Sequence, residues 1–384
     1  MRDLLLGREP KDFDVATDAS PEDMRQLFRN CRLIGRRFRL AHVHFGREII
    51  EVATFRGSPA SEGKGDHAHQ DGRITRDNVY GTLEEDAVRR DFTVNSLYYT
   101  TEDFSVVDYT GGVADLNKGV LRMIGDPATR YREDPVRILR VVRFAASLGF
   151  RIHADTEAPI RDLAHLLGDI PPARLYEETL KLFHGGYAAQ CFELLRHYDV
   201  LRHLFPETDK CLNEDSGGLP GALVVQALAN TDDRIAQEKS VTPGFLFAVL
   251  LWEPLQRIAA RYLEQGMSEI QAMETAGYDA LGSQAQRVTI PRRFGGMTRD
   301  VWALQPRLLR RRGKQPYRLL EHPRFRAAYD FLLLRAEVGE ALSTEAEWWT
   351  KFIDATDEER SAMLESNHGA GSGRRRRRRR PRRE

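Results

Sequence analysis

Alternating polar and apolar positions predict a β-strand close to the N-terminus. In the run 11–15 (KDFDV), side chains two residues apart point to the same face of a strand. Asp12 and Asp14 therefore share one face, while Phe13 and Val15 point towards a core. A D-x-D pair is also common at solvated strand edges, so by itself it does not define a site.

A second predicted strand supplies another acid. The run 49–55 (IIEVATF) is rich in β-branched residues, and it follows residues 40–43 and a Gly-containing turn, as in a hairpin. Glu51 shares a face of this strand with Ala53 and Phe55. If the two strands are neighbours, three carboxylates converge, and such groups repel one another unless a cation lies between them. Carboxylate oxygens suit Mg²⁺, and two such ions promote phosphoryl transfer.

The segments around these strands carry turn and helix signals. Residues 20–23 (SPED) have the residue types of a helix start. Residues 57–78 are rich in Gly, Asp, His and Ser, which predicts a mobile loop. His67 and His69 in this loop are possible metal ligands, although solvated histidines are more common in loops. A further helix is predicted to carry residues 89–95 (RRDFTVN).

After about residue 130, helical periods dominate the sequence. Arg137, Arg140 and Arg143 recur every three positions among apolar residues of the segment 135–148, which predicts a helix with a basic ridge. The chain is therefore predicted to be α+β. Its predicted parts are a catalytic head with a mixed β-sheet (1–117), a helical neck (118–185), a helical body (186–345) and an extension with a disordered tail (346–384).

Composition indicates a cytoplasmic protein without a membrane span. The chain has 384 residues, of which 41% are hydrophobic and 30% charged, enough for two or three domains with a large core. No run of about 18 apolar residues occurs, and the N-terminus lacks the features of a signal peptide. Cys31, Cys191 and Cys211 lack metal-ligand spacing and are typical of cytosolic thiols.

The net charge of +1 conceals an asymmetry between the tail and the rest of the chain. Residues 374–384 hold nine arginines and one glutamate, so the remainder is acidic on balance. An arginine run of this kind cannot build a packed core and is expected to be disordered. Nucleic acid is its expected partner, through counterion release. A solubilising tail is the alternative.

Five short motifs occur in order along the chain and together resemble a known family. They are residues 2–7 (RDLLLG), 11–14 (KDFD), 51–56 (EVATFR), 89–93 (RRDFT) and 133–137 (EDPVR). The combination is similar to the class II nucleotidyltransferases, which comprise the tRNA CCA-adding enzymes and the bacterial poly(A) polymerases. The resemblance covers about residues 1–340. It implies a nucleotidyltransferase head, a nucleotide-binding neck and an RNA-binding body.

Two further stretches, residues 27–43 and 291–325, resemble the poly(A) polymerase branch, as does the basic C-terminal extension. This implies template-independent transfer of AMP from ATP to RNA 3′ ends, in mRNA and structured RNA fragments, with a link to the RNA-decay machinery. A tRNA CCA-adding enzyme is the first alternative. In the family a Gly-rich strand end precedes the equivalent of Arg2, whereas this chain starts at Met1. We therefore expect a sheet without its first strand, and a catalytically impaired RNA-binding protein is the second alternative.

The resemblance also implies roles for individual residues. Asp12 and Asp14 would bind two Mg²⁺ ions, with Glu51 as a third acid near them. Arg90 and Asp91 would hold the ribose or order the cleft, and Asp91 is a candidate catalytic acid. The other residues implied to bind ATP are Arg2 and Asp3 near the triphosphate, Arg140 and Arg143 at the phosphates, and Asp134 and Arg137 at the base.

The implied base-reading pair makes chemical sense. Arg137 can donate to the N1 acceptor of adenine, while Asp134 accepts from its N6 amino group. Cytosine presents the same order of groups, so the pair excludes G and U without choosing between A and C. The alternative for two such residues, three positions apart, is an ion pair at the surface of a helix.

Two basic clusters are candidates for contacts with RNA phosphates. The first lies beside the predicted acids, and its alternative is a solvated basic strand. The second combines charge with aromatic rings on which single-stranded bases can stack, although those rings are equally typical of a helical core. The residues are Arg32, Arg36, Arg37 and Arg39 in the first cluster, and Trp302 and Tyr317 among Arg307, Arg310, Arg311, Arg312 and Lys314 in the second.

Overall fold

The computed structural model describes residues 1–10, 13–35, 39–57, 67–70, 73–77, 80–215 and 218–369, with backbone alone for 67–70, 73–77 and 366–369. Met1–Ile170 and Pro171–Glu384 form two compact units. The strands are β1 (Asp14–Thr17), β2 (Cys31–Ile34), β3 (Leu40–Phe45), β4 (Glu48–Thr54), β5 (His67–Gln70), β6 (Arg73–Asp77), β7 (Leu97–Tyr99), β8 (Val106–Asp108), β9 (Val120–Leu121) and β10 (Arg151–Ile152).

Helices are interspersed with the strands in the first unit and account for the regular structure described in the second. Those of the first unit are α1 (Arg2–Leu5), α2 (Pro21–Leu27), α3 (Leu83–Arg89), α4 (Gly112–Lys118), α5 (Pro127–Glu133), α6 (Val136–Leu148), α7 (Ala154–Glu157) and α8 (Ile160–Leu163), with 3₁₀ turns at Thr93–Asn95 and Ala164–Asp169. Those of the second are α9 (Pro172–Phe183), α10 (Ala188–His197), α11 (Leu201–Leu204), α12 (Pro206–Glu214), α13 (Leu219–Ala236), α14 (Pro243–Leu250), α15 (Trp252–Glu264), α16 (Glu269–Ala285), α17 (Arg292–Leu308), α18 (Gln315–Leu320), α19 (Phe325–Glu337), α20 (Ser343–Asp354) and α21 (Asp357–Gly369). The α+β prediction is confirmed.

A mixed sheet of four strands, in the order β1-β4-β3-β2, forms the centre of the head. Strand β1 runs parallel to β4, whereas β3 is antiparallel to both of its neighbours. One face of the sheet packs against α2 through a small core of Met24, Ala41, Val43 and Val52. The predicted hairpin and the predicted helix start are both confirmed, and Ser20 closes a capping box with Asp23 at the start of α2.

The predicted burial of Phe13 and Val15 is wrong. The two side chains are 66% and 45% exposed. The strand register aligns Val15 with Val52, which is buried. Val15 therefore lies on the apolar face of the sheet. It stays half exposed because β1 is at the edge of the described sheet, where one neighbouring strand rather than two covers a side chain. Asp12 lies outside the described residues.

The prediction of a loop over residues 57–78 is also wrong in part. Strands β5 and β6 pair antiparallel within this segment. In the sequence, Asp71-Gly72 separates the two strands, and this dipeptide is a strong hairpin signal that outweighs the lack of large apolar residues. The side chains of His67 and His69 lie outside what is described, so their proposed metal binding stays a prediction.

The helix predicted to carry residues 89–95 ends early, at Arg89. The chain then leaves the helix because its backbone pairs with a distant segment instead. Phe92 forms an isolated bridge with Met123, and Ile124 N donates to Asp91 O at 3.0 Å. Long-range backbone hydrogen bonds therefore override the local helix signal. They also fix the direction in which the Asp91 side chain extends from the backbone.

Helix α4 packs closely against this same segment. Asp108 caps its start by accepting hydrogen bonds from the backbone N of Gly112 and Val113, both at 2.9 Å. A Cβ atom at Gly112 would lie 2.2 Å from Thr93 O, so only glycine permits the approach. The neck is mainly helical, as predicted, with one short parallel pairing of β9 and β10.

The second unit is built around large buried side chains. Trp302 and Trp349 are 1% and 0% exposed, and each indole nitrogen donates to a backbone carbonyl, of Ala248 at 3.0 Å and Leu308 at 2.8 Å. Helices α20 and α21 join this packing, so regular structure continues beyond residue 345. The finer boundaries at 117, 185 and 345 stay predictions. No helix in the described ranges is long and apolar enough to cross a bilayer.

Candidate active site

One row of four polar side chains crosses the face of the sheet opposite α2. The strand register aligns Asp14 with Glu51, Glu51 with His42, and His42 with Arg32. Residues aligned on neighbouring strands share a face and lie about 5 Å apart. The prediction that Asp14 and Glu51 converge is therefore confirmed. The same pairing brings in His42, which the sequence pattern had not indicated as a neighbour.

The acids of this row are accessible. Asp14 is exposed, and within the described part of the chain its side chain has neither a hydrogen bond nor an ion pair. Glu51 is half exposed, and its Oε1 lies 3.1 Å from His42 Nε2 without the alignment of a hydrogen bond. Among the described residues no cluster of three or more metal-ligating side chains occurs. Two exposed carboxylates on neighbouring strands nevertheless provide the oxygen ligands that Mg²⁺ prefers.

Asp91 is held in a very different way, by hydrogen bonds to both carboxylate oxygens. Its Oδ1 accepts from Phe92 N at 2.8 Å and from Asn95 Nδ2 at 3.1 Å. Its Oδ2 accepts from Arg140 Nε at 2.7 Å, and this ion pair leaves the Asp91 side chain only 11% exposed. Asp91 therefore ties the turn after α3 to the basic ridge of α6.

Asn95 extends this connection to the start of the chain. Arg2 Nη1 donates to Asn95 Oδ1 at 2.6 Å, while Arg2 Nε donates to Asp3 Oδ1 at 2.8 Å. Because its amide nitrogen donates to Asp91, Asn95 joins Arg2 to the Asp91–Arg140 pair. The sequence analysis missed Asn95, although it belongs to the segment 89–95 that was singled out.

Three of the arginines implied to bind ATP surround one aromatic ring. The guanidinium carbons of Arg143, Arg2 and Arg140 lie 4.4, 5.2 and 5.4 Å from the ring centroid of Phe144. Phe144 itself packs edge-on against Phe92, with centroids 5.6 Å apart. Cations are attracted to the faces of aromatic rings, and a cluster of them attracts an anionic ligand. The structure thus brings Arg2, Arg140 and Arg143 together, as the resemblance implied.

Arg90 contacts a separate polar group. Its Nε donates to Tyr98 Oη at 2.8 Å and its Nη2 to Asp86 Oδ2 at 3.3 Å. Tyr98 Oη in turn donates to Asp86 Oδ2 at 2.5 Å. Burial, together with this hydrogen bond to Asp86, raises the pKa of Tyr98 well above its usual range, although Arg90 acts in the opposite direction. The tyrosine hydroxyl therefore remains a hydrogen-bond donor.

The implied base-reading residues sit at the junction of α5 and α6. Arg137 Nη1 donates to Glu133 Oε2 at 2.9 Å and to Arg130 O at 2.6 Å. Asp134 Oδ1 accepts from Val136 N at 3.3 Å, so it satisfies one free backbone N–H in the first turn of α6. Arg137 is thus held by Glu133, a residue to which the sequence analysis gave no role.

Arg130 is the main site residue that sequence reasoning missed. Its Nη2 donates to Arg89 O at 2.6 Å and Arg90 O at 2.7 Å, and its Nη1 donates to Glu133 Oε2 at 3.0 Å. Burial, and then the nearby charge of Arg137, lower the pKa of Arg130. One planar guanidinium therefore supports both the segment before Asp91 and the acid that holds Arg137. Only the i, i+3 spacing to Glu133 signalled this in the sequence.

The arginines predicted to contact RNA have different environments in the structure. Arg36 and Arg37 lie outside the described residues, and Arg39 forms an exposed ion pair with Glu22. Arg312 is exposed. Arg311 pairs with Glu345 at 3.0 Å.

Of the two aromatics proposed beside these arginines, Trp302 belongs to the core, which excludes it as a stacking ring, while Tyr317 is partly buried against the core. Trp302 is fully buried, and Tyr317 packs edge-on against Phe352.

Solved structures with a similar fold are described as tRNA-processing, CCA-adding or tRNA nucleotidyltransferase enzymes. One, described as "tRNA-processing enzyme (apo form 2)", matches with a TM-score of 0.59 at 24% identity, covering 95% of this chain and 93% of that chain. Another, a "tRNA nucleotidyltransferase complexed with a primer tRNA and an incoming ATP analog", has a TM-score of 0.58 at 24% identity, covering 91% and 93%. At this level of identity the similarity establishes the fold.

Three family models match successive parts of the chain. The model described as "Poly A polymerase head domain" matches residues 1–122. "Probable RNA and SrmB- binding site of polymerase A" matches residues 149–212, and "Polymerase A arginine-rich C-terminus" matches residues 265–384.

Curated relatives agree with these matches. Poly(A) polymerase I of Escherichia coli O6:H1 (strain CFT073) is 51% identical over 370 residues, covering 95% of this chain and 80% of that protein. Poly(A) polymerase I of Salmonella typhi is 50% identical over the same shares. The CCA-adding enzyme of Lactobacillus helveticus is 37% identical over 194 residues, covering 50% and 47%.

The head carries its acidic row on one face of a mixed sheet, and the curated relatives and the head-domain family model define the class as nucleotidyltransferase. Within that class the chain belongs to the poly(A) polymerase I family. The CCA-adding enzymes are more distant relatives, since they match about half of the chain at lower identity.

Proposed function

We propose that the protein is a template-independent polynucleotide adenylyltransferase that extends RNA with AMP from ATP. The RNA 3′-hydroxyl attacks the α-phosphorus of ATP, the bond to pyrophosphate breaks, and the hydroxyl proton leaves as the new phosphodiester forms. The observation that carries this proposal is the 51% identity to a poly(A) polymerase I, which extends over 95% of the chain and so includes both units.

The acidic row is the proposed reaction centre. Asp14, with Asp12 beside it in the sequence and Glu51 on the adjacent strand, would hold two Mg²⁺ ions. Bound there, Mg²⁺ lowers the pKa of the attacking hydroxyl and neutralises charge on the leaving pyrophosphate. The exposure of Asp14 and Glu51 supports this assignment, because carboxylates already committed to protein partners are poor cation ligands.

The groups around α6 are proposed to bind ATP. Arg2, Arg140 and Arg143 would contact the phosphates, since they already converge on Phe144. Asp91 would act as a positioning residue, because both of its oxygens hold other site groups in place. Its role as a catalytic acid stays a prediction.

The proposed ATP site also includes a group around Arg90. Arg90 would lie towards the ribose, with Tyr98 and Asp86 orienting its guanidinium.

We propose that Asp134 and Arg137 read the Watson–Crick edge of adenine. Glu133 positions Arg137 while no base is bound. When the base binds, Arg137 must exchange its hydrogen bond with Glu133 for one with the base. The loss of one charge-assisted hydrogen bond is offset by the gain of another, which keeps the exchange low in free energy. Replacing Glu133 should therefore alter the choice of nucleotide before it alters the rate with ATP.

Substrate choice provides the direct test of this function. The purified chain is incubated with Mg²⁺, a 5′-labelled RNA of generic sequence and each nucleoside triphosphate separately. We expect long tails with ATP alone and no extension with CTP. RNA binding without release of pyrophosphate would overturn the proposal in favour of an RNA-binding protein.

A tRNA CCA-adding enzyme is the second candidate. It is favoured by the structural neighbours and by a base-reading pair that accepts cytosine as readily as adenine. A tRNA lacking its CCA end separates the two functions. Addition of two C residues and one A, with arrest thereafter, would replace our proposal, whereas continued addition of A would support it.

The proposed partners follow from the same assignment. RNA 3′ ends, in mRNA and in structured fragments, are the proposed acceptors in the cytoplasm. The match of residues 149–212 to a "Probable RNA and SrmB- binding site" supports an RNA-contacting segment there. We further propose a connection with the RNA-decay machinery, which copurification of the protein with RNA-degrading enzymes from nuclease-treated extracts would test.

A further inference from the structure

The hairpin of α16 and α17 carries an unusual concentration of unpaired positive charge. Towards its far end, Arg307 and Arg310 pair with Glu274 at 2.7 Å and Glu269 at 3.3 Å. Towards its connecting loop, four arginines form no ion pair with any residue in the described ranges: Arg287, Arg292, Arg293 and Arg299.

The acids near these four arginines are few. Between residues 278 and 300 the sequence holds two aspartates, Asp279 and Asp300. Asp279 is already engaged, since Tyr262 Oη donates to it at 2.5 Å. The loop end of the hairpin therefore presents more guanidinium groups than its own carboxylates neutralise, and this excess charge favours an anionic partner.

An exposed aromatic ring lies among these charges. Tyr278 is 65% exposed, and the guanidinium carbon of Arg299 lies 4.0 Å from its ring centroid. The arginine orders the ring without burying it, so the pair forms a flat, preorganised platform at the surface. A nucleobase stacks well on such a ring or on a guanidinium plane.

Glycines keep the surface beside this platform open. A Cβ placed at Gly282 or Gly296 would meet no atom within 4 Å, so neither position is covered by another side chain. Gly296 lies on α17 between Arg292 and Arg299, which are seven residues apart and therefore share a helix face, about 10 Å from each other along the axis. We name Tyr278, Gly282, Arg292, Gly296 and Arg299 the hairpin strip.

We propose that the hairpin strip binds single-stranded RNA, with a base stacked on Tyr278 and Arg299 and phosphates at Arg292 and the neighbouring arginines. The site rests on the proposed function, because it takes the polymer that the enzyme extends. The aromatic platform favours RNA over an acidic protein segment, since carboxylates would use the arginines and leave the tyrosine without a stacking partner. The strip lies outside residues 149–212, the part matched by the RNA-binding family model.

Binding of a fluorescein-labelled 20-nucleotide oligoadenylate to the full chain, followed by anisotropy without ATP, tests the strip. Tyr278→Ala should weaken binding about fivefold or more, because it removes a stacking ring. Tyr278→Phe keeps the ring and should stay within about twofold of the wild type. Since Tyr278 makes its ring contact at the surface, both variants should melt at the wild-type temperature.

The arginines are tested through the salt dependence of binding. The double variant Arg292→Ala/Arg299→Ala should reduce the slope of log Kd against log salt by about 1.4, since each phosphate that is no longer neutralised lowers the slope by roughly 0.7. Its matched control removes two exposed but ion-paired arginines, Arg307 and Arg326, and should leave the slope unchanged. The arginine-rich tail is present in every variant, so its contribution cancels in the comparison.

Unchanged affinity for Tyr278→Ala together with an unchanged slope for the double variant would overturn the proposal. So would equal losses in the paired-arginine control, since these would indicate general charge rather than a site. Failure of the parent function has a different signature, because a wild-type chain that binds oligoadenylate through Tyr278 but adds no AMP would refute the polymerase assignment alone.

Discussion

Two acidic regions of the first unit are built in opposite ways. On the sheet, Asp14 is exposed, and its side chain makes no hydrogen bond or ion pair with another described residue. In the turn after α3, Asp91 is 11% exposed, and both its oxygens accept hydrogen bonds. A carboxylate without protein partners is available to a cation, whereas a fully bonded one holds its neighbours in place. The two regions thus separate the proposed chemistry from the framework that positions it.

Replacing Asp14 should produce the largest effect on activity. We expect Asp14→Ala to slow AMP incorporation by about 10³-fold, because a metal ligand contributes several kcal/mol to the transition state. The melting temperature should not fall, since the substitution removes no described hydrogen bond or ion pair. Single-turnover extension of labelled RNA measures the rate. Activity within tenfold of the wild type would show that the exposed acid is not the reaction centre.

Replacing Asp91 should give the reverse pattern, with a large loss of stability. Asp91→Asn removes the charge facing Arg140, a partly buried guanidinium. We expect the free energy of unfolding to fall by about 2 kcal/mol, below the range for fully buried pairs because Arg140 is one-third exposed. Urea denaturation followed by circular dichroism measures this. Asp14→Asn is the matched control and should change stability little; equal losses in both variants would remove the distinction between the two regions.

A substitution at Arg130 tests whether the support of the segment before Asp91 depends on the shape of a side chain as well as on its charge. Arg130→Lys keeps the charge but cannot reach Arg89 O, Arg90 O and Glu133 together. We expect a loss of about 1–2 kcal/mol in stability, from one or two hydrogen bonds. The KM for ATP should rise with it, because Glu133 also holds Arg137. A lysine variant with wild-type stability and KM would place the support of this segment elsewhere.

The stabilisation of the protein by Mg²⁺ should also distinguish the two acidic regions, and it is the smallest of the predicted effects. An ion bound by the native state alone stabilises it by about 1 kcal/mol at five times its Kd. We expect MgCl₂ to raise the melting temperature of the wild type and of Asp91→Asn, but not of Asp14→Ala. Matched additions of NaCl control for ionic strength. A shift that persists in Asp14→Ala would place the ion outside the acidic row.

Most of the head could be predicted from residue patterns. The spacing of β-branched residues and a Gly-containing turn indicated the β3–β4 hairpin, and the capping residues located the start of α2. The convergence of Asp14 with Glu51 followed from period-two alternation once the strands were assumed to be neighbours. Burial of Phe13 and Val15 did not follow, because alternation defines a face but not whether anything covers it.

The contacts that hold the site together could not be predicted from residue patterns. Asp91 and Arg140 are 49 positions apart, and Asp91 directly precedes Phe92, which forms the bridge with the distant Met123. In the sequence Arg130 resembles the other arginines of a basic segment, whereas in the folded chain its guanidinium donates to Arg89 O and Arg90 O. Local patterns carry no information on such partners, because these depend on how distant segments pack.

The order of motifs and the period of each strand were enough to define the nucleotidyltransferase class and to place two of its acids on one face. Local sequence determines such features because alternation and capping act over a few residues. Tertiary structure decided which acid stays open and which is tied to Arg140, and it assigned Trp302 to the core while leaving Tyr278 at the surface. Burial and pairing are decided by residues far apart in the chain, so they emerge only when the chain is folded.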